Sequence, residues 1–195
     1  MRCFAAPRSL RVARCSVFLC TAASAFWCLA ARPASGQDRL EREGRIKAAL
    51  ILNIAKLVTW PTGDTRELTV CVFDGAQLVT PLASIEGEIV QNRRVTVKQI
   101  QEASSATGCQ IVFIGAGATA RLADVQAAVF GHPTLTVGDV PDFAERGGAI
   151  GFTTRRNRVQ LEINLQTAEA SGLQISSQLI RLARVVGGAT GDGLR

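Results

Sequence analysis

The chain has no tyrosine, one histidine and one methionine in 195 residues. That scarcity removes most proton-transfer chemistry from consideration, because histidine is the usual general acid or base. The one histidine, His132, sits in a Gly-His-Pro turn, where solvation is the expected state. No G-x-S-x-G nucleophile elbow is present, and no Cys/His pair has ligand spacing for a metal. The carboxylates that come close in sequence are Asp139, Asp142 and Glu145, and the pair Glu86 and Glu88. Both groups fall in turn-rich stretches and read as solvated charge. Catalysis, a bound metal and a resident cofactor are therefore not expected.

An excess of charge is also missing from the body of the protein. The net charge of +6 is misleading, since residues 1–36 hold five arginines and no acid. Subtracting those five from the 22 basic residues leaves 17 against 16 acids, or about +1 for residues 37–195. A nearly neutral body lacks the electrostatic footprint of a nucleic-acid binder.

The first 36 residues have the form of a secretory signal. Arg2, Arg8, Arg11 and Arg14 make a positive start, Ser16 to Ala31 an uncharged apolar run, and Ala34-Ser35-Gly36 a small-residue cleavage site. The apolar run is shorter than the ~20 residues a membrane span needs. No lipoprotein pattern surrounds Cys15, Cys20 or Cys28, and the segment holds no twin-arginine pair. The expectation is a periplasmic protein exported unfolded, without a preloaded cofactor. Four of the six cysteines leave with the signal. Cys71 and Cys109 remain, at or beside predicted strands. They form either one bridge or two buried thiols, and an exported setting favours the bridge.

Residues 37–44 are polar, a leader or the exposed first turns of a helix. Arg45 to Pro61 then has helical rhythm, with Ile46, Leu50, Asn53/Ile54 and Leu57/Val58 on one face and Lys47 and Lys56 off it. Pro61 stops the pattern at Trp60. Strands are predicted at Leu68–Phe73, Arg94–Ile100, Gln110–Ile114 and Thr134–Val137. Helices are predicted at Gln77–Glu86 and Ala118–Phe130. This alternation implies a mainly parallel sheet with helices on both faces. Ala149–Thr154 and Val159–Leu165 read as a β-hairpin that makes the sheet mixed. A short helix follows at Gln166–Ser171, a last amphipathic helix at Ile175–Val186, and a disordered tail at residues 187–195. The fold class is α/β, with a C-terminal β-hairpin plus helix.

Several local patterns suggest sites. Gly115-Ala116-Gly117-Ala118-Thr119-Ala120 fits G-x-G-x-x-A after a strand, with Asp139 ending the next strand. Small residues at such a turn more often serve packing, and export unfolded disfavours a nicotinamide cofactor. Gly115, Gly117 and Asp139 remain a candidate crevice for a small ligand. The run Arg155-Arg156-Asn157-Arg158 reads as an exposed hairpin tip rather than a headgroup contact. Glu162 and Asn164 share one face of their strand. Arg181 and Arg184 share one face of the last predicted helix, so opposed charges are expected to hold that helix on the sheet.

Taken in order, I-K-A-A-L-I-L-N-I-A-K-L-V-T-W-P, L-T-V-C-V-F, G-C-Q-I-V-F-I, L-T-V-G-D, F-A-E-R-G-G-A-I-G-F, V-Q-L-E-I-N-L and G-L-Q-I-S-S-Q-L-I-R-L-A-R-V-V resemble the YfiR-like family. The resemblance spans residues 45–186. It implies a small periplasmic α/β regulator whose type member represses an inner-membrane diguanylate cyclase. That repressor binds the enzyme's periplasmic sensor domain, lowers cyclic di-GMP and restrains biofilm formation. The chain departs from the type member at Phe143 to Phe152, where a second cysteine pair is missing. Redox control through that pair does not carry over. The partner-binding candidates are Trp60, the exposed edge of the opening helix and the Arg146-Gly147-Gly148 turn. Trp60 either packs inward, which the sequence favours, or meets the partner. Amphipathic helices at both ends are compatible with a homodimer. The competing readings are a periplasmic small-ligand module and a cryptic enzyme.

Overall fold

The structure, a computed structural model, describes residues 36–61, 66–155 and 158–187. The expected signal apart from Gly36, the hairpin tip at Arg156 and Asn157, and the tail beyond Gly187 lie outside the described residues. Helix α1 (Gly36–Leu57) runs directly into the two-residue strand β1 (Val58–Thr59). The polar leader is therefore helical. Then follow β2 (Glu67–Phe73), α2 (Ala76–Ala83), β3 (Ile89–Val90), β4 (Arg93–Ile100) and β5 (Ile111–Ile114). After these come α3 (Leu122–Val129), β6 (Leu135–Gly138), β7 (Ile150–Arg155), β8 (Arg158–Asn164) and α4 (Leu165–Ala170). The described chain closes with β9 (Gln174–Ile175), α5 (Ser177–Arg181) and β10 (Ala183–Val186).

Eight strands form one sheet in the order β10-β8-β7-β6-β5-β2-β4-β3. The pairs β4–β2, β2–β5, β5–β6 and β6–β7 are parallel, and the β7–β8 hairpin is antiparallel. The expected α/β class with a mixed, mainly parallel sheet is what the chain forms. From β2 the chain winds to β4, then returns to β5 on the other side. The strand order thus reverses between β2 and β5, the kind of switch point where such sheets carry ligand crevices.

Each face of the sheet has its own core, because alternate residues of a strand point to opposite sides. Val70, Val72, Ile111 and Phe113 pack with Ile51, Ile54 and Ala55 of α1 and with Leu78 and Leu82 of α2. Cys71, Phe73, Val112 and Ile114 pack on the other side with Leu122, Val125 and Val129 of α3. Cys71 and Cys109 are bridged within this second core, with their Cα atoms 5.9 Å apart.

The buried stripe of α1 is not the predicted one. Lys47, Ala48, Ile51, Ile54 and Ala55 face inward, whereas Ile46 is 43% exposed and Asn53 is exposed. The stripe is rotated toward Lys47, which meets Asp139 beneath the helix and Glu43 one turn earlier on it. The end of α1 is also held from a distance. Gln91 and Asn92 both have positive φ, 51° and 61°, and form the two-residue turn of the β3–β4 hairpin. From that turn the Gln91 amide donates to the carbonyls of Ala55 (3.1 Å) and Val58 (2.8 Å), which helical bonding leaves free.

The predicted final helix is corrected. It stops at Arg181, and Ala183–Val186 is instead a strand parallel to β8, pairing Arg184 with Glu162. Leu182, within the predicted helix, is 67% exposed. Two forces override the helical pattern. Strand pairing satisfies the open backbone edge of β8, and Glu162, with only 4% of its side chain exposed, requires a cation. Arg184 supplies it at 2.8 Å from the strand, not from a helix shared with Arg181.

The disulfide closes a loop with a sequence separation of 38. Replacing both cysteines with alanine is expected to lower the unfolding free energy by ~3–4 kcal/mol, read by urea denaturation. Thiol titration of the native protein should find neither Cys71 nor Cys109 reactive.

Candidate functional site

The structure separates the sequence candidates into three places. Trp60 lies in the core, 5% exposed, with its indole N–H donating to the Gln110 carbonyl at 3.3 Å. It joins the end of α1 to the start of β5 and is not presented to a partner in this conformation. The aromatic body is buried and its polar edge is satisfied, the ordinary state of an interior tryptophan.

The glycines of the switch point are filled in from below. Gly115 is buried, and a Cβ there would run into the Asp74 carbonyl. A Cβ on Gly117 would lie 3.2 Å from the Asp74 carboxylate. Arg121 completes the closure. It lies 4.5 Å over the Phe73 ring, reaches Asp74 at 3.4 Å and donates to the Gln101 carbonyl at 3.2 Å. The turn after Gly115 is a 3-10 turn over Ala116–Ala120 rather than the start of an α-helix. A pyrophosphate here would meet a carboxylate and no helical N-terminus, so the arrangement does not fit a dinucleotide.

Asp139 occupies a different setting. It follows β6, and α1 passes above it. Lys47 Nζ donates to Asp139 Oδ2 at 2.9 Å and stands 2.8 Å from Glu43 Oε1. About 11–12% of the Lys47 and Asp139 side chains is exposed, against 27% for Glu43. Burial acts to lower the pKa of Lys47, but hydrogen bonds to Glu43 and Asp139 and their charges outweigh it. The net result is a pKa raised above the ordinary 10.5. Glu43 lies four residues before Lys47, the favourable helical spacing. That spacing was a legible signal for the trio, which sequence reasoning missed by placing Lys47 off the buried face. A cavity opens beside these groups, and neither Gly115 nor Gly117 lines it.

The Arg146-Gly147-Gly148 turn forms the third place. Arg146 and Gly147 are exposed, and Gly147 has φ +90°. Gly148 is buried against the Phe143 ring, which leaves no room for a side chain. Gln126 of α3 donates to the Arg146 carbonyl at 3.0 Å and fixes the turn to the helix. Beside it lies a groove of about 330 Å³ between the end of α3 and α4, lined in part by Gln126, Phe130, Gly147 and Ser171. Phe130 is 85% exposed at its lip. Sequence reasoning took Phe130 as the end of a helix, whereas an aromatic just before Gly131-His132-Pro133 has no core left to enter.

The other acidic candidates do not converge. Asp139 pairs with Lys47, Glu145 with Arg184 at 3.1 Å, and Glu86 and Glu88 are exposed. Among the described residues no group of His, Cys, Asp and Glu has the form of a metal site. Among those residues, no helix is long and apolar enough to cross a membrane.

Fold and surface together define an α/β domain with a switch-point sheet, a disulfide-braced core and surface grooves. More narrowly, the chain belongs to the YfiR/HmsC-like family, whose model matches residues 44–184. Membership implies a regulator of the YfiR type.

The ion trio makes stability depend on pH at the alkaline end. Because the folded-state pKa of Lys47 is raised above 10.5, its contribution is complete below pH 10.5 and is lost as pH rises through the folded value. Lys47→Met leaves two carboxylates without their cation and is expected to cost about 2–4 kcal/mol at neutral pH. Denaturant melts stepped from neutral pH upward should show the gap between wild type and variant persisting until strongly alkaline conditions and closing there.

Proposed function

We propose that this protein is a periplasmic regulator that holds an inner-membrane signalling enzyme inactive by binding its periplasmic sensor domain. The enzyme is a diguanylate cyclase or a related signalling protein. The match to the YfiR/HmsC-like family over residues 44–184 carries this reading. The Cys71–Cys109 bridge supports it, since such bonds persist in oxidising compartments. The signal-like character of residues 1–36 supports export.

The contact surface we assign is the Arg146–Gly147 turn with the adjoining groove and Phe130. An exposed aromatic beside a concave surface is the form a binding anchor takes. Anchoring the turn through Gln126 lowers the ordering cost of association. Trp60 is an interior residue and is not part of this surface.

Co-expression with a membrane diguanylate cyclase carrying a periplasmic sensor domain should lower cellular cyclic di-GMP, and affinity-tagged protein should retain that cyclase. Phe130→Asp is expected to weaken retention by at least about tenfold, the scale of a hot-spot residue. Its stability should change by no more than about 0.5 kcal/mol, as for a surface site. Unchanged cyclic di-GMP with every such cyclase tried would overturn the reading.

A further inference from the structure

The first turns of α1 have no covering layer. Asp38, Arg39, Leu40, Glu41 and Arg42 are all exposed. Consecutive residues of this number complete a turn, so the helix is open to solvent in every direction there. Leu40 is 62% exposed among them. A helix takes most of its stability from tertiary packing, and these turns lack it.

One stripe of that surface carries an ordered set of charges. Asp38, Glu41, Arg42 and Arg45 stand at i, i+3, i+4 and i+7 on a single face, and all of them are exposed. Along the stripe the signs run acid, acid, base, base. Bonds within the helix leave the set largely unused. Arg45 reaches Glu41 at 3.7 Å, with the side chains 69% and 71% exposed. Asp38 and Arg42 form no ion pair among the described residues.

The order of signs selects an occupant. Turned end for end about a point between Glu41 and Arg42, the stripe sets Asp38 against Arg45 and Glu41 against Arg42. Every contact then joins opposite charges. A parallel copy sets like against like, which opposes association. The two-fold axis of a symmetric dimer supplies the antiparallel arrangement, with one patch serving on both sides.

The ground beside the stripe suits a helix. A groove of about 570 Å³ lies between α1 and α2, with Leu40, Glu41 and Arg45 on one bank and Ala76, Gln77 and Thr80 on the other. All of these residues are exposed, and α2 brings no charge to its bank. Because Glu41 and Arg45 belong to both stripe and bank, a helix laid on the stripe also covers part of the groove.

We propose that the protein forms a two-fold homodimer through antiparallel contact of the first halves of its α1 helices. Asp38 and Glu41 of each copy pair with Arg45 and Arg42 of the other. The interface uses none of the residues of the Arg146–Gly147 surface and does not depend on which enzyme the protein meets.

Charge reversal with complementation tests it, on protein purified from the periplasm and followed by sedimentation equilibrium. Wild type should dimerise, and more weakly as salt is raised, because the charges are exposed. Asp38→Arg with Glu41→Arg makes the stripe wholly basic, and Arg42→Glu with Arg45→Glu makes it wholly acidic. Either double variant alone should dimerise at least about tenfold more weakly, through like-charge repulsion. Mixed in equal amounts, the two should restore a dimer, now heteromeric. Mixing does not mend a bond lost within one helix, so restoration separates contact between copies from support inside each. If the basic variant does not fold, the acidic one still decides. Its weak dimer should strengthen with salt, opposite to wild type. Phe130→Asp should leave the dimer unchanged. A wild type that stays monomeric up to about 1 mM would overturn the proposal. So would double variants that dimerise like wild type, or a mixture that stays monomeric. Loss of cyclase retention in both doubles, with a monomeric wild type, would overturn it by assigning the stripe to the enzyme.

Discussion

Burial of strands β2 and β5 on both faces is the constraint from which the architecture follows. Val70 and Val72 point to one side, and Cys71 and Phe73 to the other; every one of these residues is about 1% exposed or less. A sheet with two apolar faces needs two covering layers. One layer is α3 with the disulfide beneath it. The other is α1 and α2, which must approach closely enough to seal the larger core. Gly44 permits that approach, since a Cβ there would come within 2.7 Å of the Pro81 ring. With α1 seated so low, Lys47 is carried onto the carboxyl end of the sheet. Its charge then needs Glu43 and Asp139. The ion trio is thus a consequence of packing, and the cavity beside it is the space that packing leaves.

The central sheet was legible because its strands are continuous apolar runs separated by turn residues. Nothing in those runs competes with the strand state, and the hairpin of β7 and β8 declares itself by its charged tip. The peripheral pairings were not legible. Strands β1 and β9 have two residues each and exist by pairing Val58 with Ile175 and Thr59 with Gln174. No periodicity can be read from so short a segment. The last strand was concealed for a different reason. Ile175 to Val186 has helical spacing, but Val185 and Val186 are β-branched, and Gly187 adopts φ +71° against the Asn164 amide. The demand of buried Glu162 for Arg184 is a tertiary term that local pattern does not contain.

The site candidates divide along the same line. Gly148 and Gly115 are glycines for steric reasons visible only in three dimensions, against Phe143 and the Asp74 carbonyl. The sequence presents them as a motif because turns and phosphate cradles draw on the same residue. Lys47 shows the converse. Its i, i+4 partner Glu43 is visible in sequence, but Asp139 lies 92 residues away. A lysine therefore looks solvent-facing until the distant carboxylate is placed beneath it.

The two faces also differ in how firmly they are held. On the α3 side the disulfide, the Arg121 contacts with Phe73 and Asp74, and the Gln126 bond to Arg146 tie helix, sheet and turn together. The first half of α1 is held by fewer long-range polar links: Lys47 to Asp139, and a 3.5 Å contact from Thr154 to Glu43. Fewer cross-links permit local opening at lower cost than global unfolding. A fixed surface suits recognition of a partner, because little ordering is lost on binding.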